Sequence, residues 1–307
     1  MAAYKLEAAL PLFERERFVV FSPATERRSA WSLKGSDSGT LENMTWVCAA
    51  STIFGYGALY ADVQVTFRDG RTQDLVQKAY PLGNFVAAGF AGSVHIGFML
   101  LEGLSDYLAL PSDDLKTMAC DPRWVSANWA PLARSLYDQA PEGEKLLGSR
   151  ILMVGVSPSE PCGLGAKVYF TRFASPDFRP CLMSRAIKTC SIGSGAGMNV
   201  YKQRLKPHFR LTDRIHQAEV GQEGGWARQI GFSISRALSD HPRSGISRHM
   251  HILMIRRGSI LVETNDENIY HRDGSRLEIR MPVVARGYAE FQAMAASSGH
   301  EVEGAIG

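Results

Sequence analysis

The stretch TWVCAASTIFGYGALYADVQVTFRDG, residues 45–70, decides the fold. Thr45 to Ala50 is an apolar run of strand length, Gly55 and Gly57 mark a turn, and Ala58 to Phe67 returns as a second strand. Asp69-Gly70 then turns the chain again.

Working outward, Ala79-Tyr80 and Phe85 to Phe90 predict another hairpin, closed by Gly89-Phe90-Ala91-Gly92. From Val94 to Leu110 the pattern changes, because Ile96, Leu100, Leu101, Leu104 and Leu108 recur at helical spacing. Trp124 to Tyr137 reads as a second helix, entered near Ser126. Ile151–Val156, Ala166–Phe173 and Ala186–Ile192 read as strands. Gly193 to Gly197 is a tight connection into a helix at Met198 to Leu205, and a further helix runs from Trp226 to Leu238. Met250–Ile255 and Ser259–Val262, joined by Arg257-Gly258, form a last hairpin. Antiparallel hairpins separated by helix pairs predict an α+β chain, a four-layer αββα sandwich with two antiparallel sheets between helix pairs. Residues 1–44 are patterned differently. Phe18 to Phe21 reads as a short strand, while Arg27-Arg28 and Ser36 to Gly39 read as loop. The chain therefore divides into an N-terminal extension, 1–44, and a domain spanning 45–307.

Composition excludes several function classes. A net charge of +3 with scattered basic residues does not suit nucleic acid or an anionic membrane. No run of about 18 apolar residues predicts a membrane span. Met1 to Arg17 mixes Lys5, Glu7, Glu14 and Arg15 into its apolar residues, unlike a signal peptide. The five cysteines are irregularly spaced and form no CxxC pair, so neither a zinc site nor a disulfide framework is expected. Cys48 and Cys181 read as small packing hydrophobes, and a reducing cytoplasm fits best.

Four features could carry chemistry. Asp62 ends a hydrophobic run, so its carboxylate should emerge at a strand end. Lys78 stands just before another strand. Gly92 lies between a strand and a helix, where backbone N–H groups can meet an anion. Ser194 lies in Gly193-Ser194-Gly195, also between a strand and a helix. Each has a plainer reading: Asp62 and Lys78 as a surface ion pair, the glycines as ordinary turns. His249-Met250-His251 offers two imidazoles but no third metal ligand, and no metal or cofactor is expected. His95 reads as a capping or packing residue. Gly193 to Gly197 lacks the Lys-Ser/Thr ending of a phosphate loop.

Thr45-Trp46-Val47-Cys48-Ala49, Ala61-Asp62-Val63-Gln64-Val65-Thr66, Lys78, Ala88-Gly89-Phe90-Ala91-Gly92 and Ile192-Gly193-Ser194-Gly195 together resemble the proteasome β-subunits of the Ntn-hydrolase family. The resemblance is nearest to the bacterial HslV-type peptidases and covers Thr45 to Val262. Asp62 precedes Lys78 by 16 residues and Lys78 precedes Gly92 by 14, as in that family. It implies an N-terminal threonine peptidase. Thr45 would be the nucleophile, with its own free α-amino group as base. Lys78, held by Asp62, would favour the alkoxide, and the Gly92 N–H would receive the oxyanion. Ser194 and Ser244 would orient the α-amino group. The resemblance also implies peptide or unfolded-protein substrates, a self-compartmentalising homo-oligomeric ring and, as a possible partner, an ATP-dependent unfoldase.

The sequence departs from the family pattern in three places. Thr45 to Asp62 is one residue longer, which a single insertion in Ser51–Gly57 explains; without it Trp46 takes the nucleophile's place and the protein is inert. Asp240 to Ser244 is also one residue longer. Met44 precedes Thr45, so a start at Met44 followed by methionine removal would expose the threonine. Two other readings stay open: a catalytically silent scaffold subunit, and an Ntn amidase acting on a small amide.

Overall fold

Strand β1 (Trp46–Ser51) and strand β2 (Gly57–Asp62) are buried at every position, so both of their faces are covered. Side chains alternate across a strand. Val47, Ala49, Leu59 and Ala61 therefore enter one apolar cluster, while Trp46, Cys48, Ala50, Ala58 and Tyr60 enter another. In this computed structural model the described residues are 45–52, 54–109, 120–161, 163, 165–183, 189–205, 225–270 and 274–307. The expected extension 1–44, and the strand and loops read there from the sequence, lie outside them.

The next elements are β3 (Gln64–Thr66), β4 (Thr72–Asp74), β5 (Ala79–Pro81), β6 (Val86–Gly92) and helix α1 (Val94–Ala109). Helices α2 (Pro122–Asn128), α3 (Ala130–Gln139) and α4 (Glu142–Leu147) lead to β7 (Ser149–Gly155), β8 (Tyr169–Ala174), β9 (Cys181–Met183) and β10 (Thr189–Gly193). A 3-10 turn at Ser194–Gly197 opens into α5 (Asn199–Leu205). Then come α6 (Gly225–Asp240), β11 (Met250–Arg256), β12 (Ser259–Thr264), β13 (Glu267–Tyr270), β14 (Arg276–Ile279) and α7 (Tyr288–Ser297).

The chain is α+β, with two five-stranded antiparallel sheets and seven helices among the described residues. One sheet has the order β10-β1-β2-β11-β12, the other β5-β6-β7-β8-β9. Between them lies a cluster drawn from both: Val47, Leu59, Leu253 and Ile255 from the first, Ala87, Leu152, Val154 and Phe170 from the second. The other face of the first sheet is covered by Trp226, Ile230 and Ile234 of α6 and Tyr201 of α5. Tyr201 stacks on Trp46 at 4.8 Å, and the Tyr60 hydroxyl donates to the Ala227 carbonyl across 3.0 Å. The other face of the second sheet packs on Ile96, Leu100 and Leu104 of α1, Trp129 between α2 and α3, and Phe291 of α7. These contacts are compatible with an αββα sandwich.

Several local expectations need correction. The strand expected over Ala58–Phe67 divides at Val63, and β3 leaves the large sheet to pair with β4. The helix expected over Trp124–Tyr137 is two helices meeting at Trp129, and its entry is not Ser126 but Asp121, whose side chain accepts from the Arg123 N–H at 2.8 Å. Cys48 is buried as expected, but Cys181 is exposed on edge strand β9, so it does not pack as a core residue. Among the described residues no helix is long and apolar enough to cross a membrane.

Candidate active site

Thr45 immediately precedes β1 and is fully buried. Its carbonyl oxygen accepts from the Gly195 N–H at 3.4 Å. Gly193 presses against the same carbonyl: its φ is +84°, and a Cβ there would lie 2.0 Å from the Thr45 oxygen. Only glycine combines that backbone with that approach. The Gly193-Ser194-Gly195 turn thus holds the backbone of Thr45, while the buried Ser194 hydroxyl has no hydrogen-bond partner.

Asp62 closes β2. One carboxylate oxygen accepts from the Trp46 N–H at 2.7 Å, the other from the Gln64 N–H at 2.9 Å. Lys78 precedes β5 and reaches inward. Its Nζ donates to Asp62 Oδ1 at 2.9 Å, to Thr45 Oγ1 at 3.1 Å and to the Gln64 carbonyl, which occupies all three ammonium protons. The plainer reading of Asp62 and Lys78 as a surface pair is wrong, because both side chains are almost wholly buried. Burial pushes the Asp62 carboxyl above the usual carboxylate range, and the adjacent Lys78 opposes that shift. Burial likewise pushes the Lys78 ammonium below the ordinary lysine value, against the pull of Asp62.

A second cluster adjoins the first, and the sequence reading missed it. Gln64 Nε2 donates to Asp74 Oδ1 at 3.2 Å, the Ser247 hydroxyl donates to Asp74 Oδ2 at 2.7 Å, and His249 Nδ1 lies 2.5 Å from that same oxygen. Burial alone would raise the Asp74 carboxyl, but the bonds from His249 and Ser247 prevail and hold it below the usual range. Asp74 also adds negative potential at Lys78. Nothing local marks Asp74 as a site residue, since two of its partners, Ser247 and His249, are 173 and 175 positions away. Ser244, expected beside the α-amino group, is instead exposed on the turn between Arg243 and Ile246. The serine drawn into this region is Ser247.

Gly92 ends β6 with φ +111°, and a Cβ there would meet the Gly148 carbonyl oxygen at 2.3 Å. Its N–H is not free for an anion: it donates to the Gly307 carbonyl across 2.8 Å. His95 stacks on Tyr288 at 4.4 Å, a packing role. Among the described residues no three His, Cys, Asp or Glu side chains converge to hold a metal ion.

No protein-family model matches this chain, and no curated protein matches it.

The arrangement therefore brings together Thr45, Asp62 and Lys78 directly, holds Thr45 by the turn that contains Ser194, and leaves Ser244 aside. Chemically it is a buried hydroxyl beside a buried cation. What it lacks while Met44 is attached is a base, because the nitrogen of Thr45 is then an amide.

Proposed function

We propose that this chain is a threonine hydrolase of the Ntn type, with the αββα architecture of the proteasome β-subunits, acting on peptide amide bonds once the nitrogen of Thr45 is liberated. One observation carries the reading: Lys78 Nζ bridges Thr45 Oγ1 and Asp62 Oδ1, and all three residues are buried. A hydroxyl so placed can become an alkoxide at reduced cost, since the positive charge beside it is already desolvated and fixed.

With a free α-amine on Thr45, the amine accepts the proton of Oγ1 as the oxygen attacks the substrate carbonyl. The tetrahedral oxyanion falls to the Gly92 N–H, which must first release its bond to the Gly307 carbonyl. Collapse breaks the C–N bond, and the α-ammonium returns its proton to the leaving amine. Water, deprotonated by the same α-amine, then hydrolyses the ester on Thr45. Lys78 stays protonated and compensates the alkoxide, and Asp62 holds Lys78 in place. Assembly into a homo-oligomeric ring, fed by an ATP-dependent unfoldase, belongs to the same proposal and rests on the resemblance alone.

The deciding experiment compares the 307-residue chain with one that begins at Met44. Methionine removal from the short form exposes Thr45, so it should hydrolyse fluorogenic peptides while the full chain stays latent. A folded short form, shown by mass to begin at Thr45 and still inert, would instead support the silent scaffold.

A further inference from the structure

Residues 305–307 lie beside Lys78. The Ile306 N–H donates to the Thr66 carbonyl at 2.9 Å, and the Thr66 N–H donates to the Ile306 carbonyl at 2.8 Å. On the opposite side, Gly92 and Gly307 exchange two N–H to carbonyl bonds, each 2.8 Å, and the Val94 N–H donates to the Ala305 carbonyl at 3.0 Å. Ala305, Ile306 and Gly307 thus run as an extended strand between β3 and the junction of β6 with α1, and all three are buried. A Cβ added at Gly307 would lie 3.3 Å from Lys78 Cε and 3.0 Å from Val94 Cγ2. The same Lys78 donates to Thr45 Oγ1.

We propose that residues 305–307 are an autoinhibitory strap, a peptide of this chain lying in the groove where a substrate peptide would lie. The inference rests on the reading of Thr45 as nucleophile. Three features support it. All five bonds involve backbone groups, so they are available to any extended peptide, as in strand addition to a sheet edge. Gly307 lies against Lys78, the residue that donates to Thr45 Oγ1. The Gly307 main-chain oxygen occupies the one N–H assigned to the oxyanion, so substrate and strap exclude each other. Tethering sharpens the competition: a covalently linked strap acts at an effective concentration on the order of millimolar. Its anchor is specific, because Glu144 accepts from the Gly304 N–H at 2.8 Å and from the Ser93 hydroxyl at 2.5 Å.

Two variants displace the strap by independent means. Ile306→Pro removes the donor to Thr66, and Gly307→Val puts branched bulk where Val94 and Lys78 leave no room. The readout is amide hydrogen exchange in the 307-residue chain, which needs no turnover. Exchange at Thr66, Gly92 and Val94 should quicken at least ten-fold in both variants, with the amides of β7 unchanged. Millimolar N-acetyl-Ala-Ile-Gly should then restore protection at those three amides. Unchanged exchange in the folded variants would overturn the proposal. So would loss of β7 protection in both, which would make 305–307 an integral strand, and so would failure of the peptide to protect. Turnover is read separately, in the form beginning at Thr45. Peptide protection without hydrolysis would remove the threonine mechanism and leave the occupied groove, whereas a ten-fold rise in kcat/KM with Ile306→Pro supports both.

Discussion

The Nζ of Lys78 stands 3.1 Å from the Oγ1 of Thr45, at a sequence distance of 33 residues and with no solvent at either side chain. A lysine is seldom buried so completely without a task or a partner, because removing its charge from water costs several kcal/mol. Here the partner is Asp62, and the remaining ammonium protons go to the Thr45 hydroxyl and the Gln64 carbonyl. A positive charge is thereby fixed against one particular hydroxyl.

Breaking that pair from its two sides should give unequal results. Asp62→Ala strands a buried ammonium and also removes the acceptor for the Trp46 and Gln64 N–H groups. A loss of about 3–5 kcal/mol is expected. Lys78→Met should cost less, since burial already favours the protonated carboxyl and Met occupies a similar volume. Urea denaturation of the two variants measures the difference; equal losses would show that the pair is not what holds this corner.

In the form that begins at Thr45, Thr45→Ala should abolish peptide hydrolysis without unfolding the chain. Lys78→Ala should be inactive as well, because the alkoxide loses its nearest positive charge. A free α-amine with a pKa of about 8 can take the hydroxyl proton, and an amide nitrogen cannot. Fluorogenic turnover beside a thermal melt checks both variants. Undiminished activity in Thr45→Ala would end the mechanism.

Asp74 and Ser244 should reverse their expected ranks. Ser244→Ala alters an exposed turn and should stay within about 0.5 kcal/mol of the parent, with activity kept. Asp74→Ala leaves Ser247, His249 and Gln64 without their shared acceptor and removes negative potential from Lys78. It acts as a positioning residue, so kcat should fall with little change in KM, and the alkaline limb of the pH profile should move down with the Lys78 pKa. A shift in KM alone would contradict that role.

His251 should make the fold acid-sensitive. Burial, helped by the positive charge of Arg286, pushes its imidazole down to about 4 from 6.5, and its Nδ1 has no hydrogen-bond partner. The folded state then binds the proton less well than the unfolded state. Stability is full above pH 6.5 and is lost as pH falls towards 4. Between pH 7 and pH 5 the loss from this group is about 2 kcal/mol. His251→Phe should remove that part of the slope, which urea titrations at the two pH values would show; an unchanged slope would assign the acid sensitivity elsewhere.

Much of the fold was legible in the sequence because its signals are local. The apolar run from Thr45 to Ala50, the return after Gly57, the helical spacing from Ile96 to Leu104 and the Arg257-Gly258 turn each depend on near neighbours; β1, α1 and the β11–β12 hairpin form close to where expected, while the second strand ends at Asp62 instead of Phe67. Asp62 and Lys78 could be named from their places beside strands, and Thr45 only through the resemblance to the proteasome β-subunits. Their burial could not, since a charged pair looks the same in sequence whether a second sheet covers it or water does. Tertiary structure alone decided that point by stacking one sheet on the other. It alone brought Asp74 to Ser247 and His249, and it left Ser244 on an exposed turn. It alone laid Ala305–Gly307 between Thr66 and Gly92. Three residues carry no period, and a lone extended segment has no backbone partners of its own; what makes it a strand is the pair of edges that the rest of the chain brings to it.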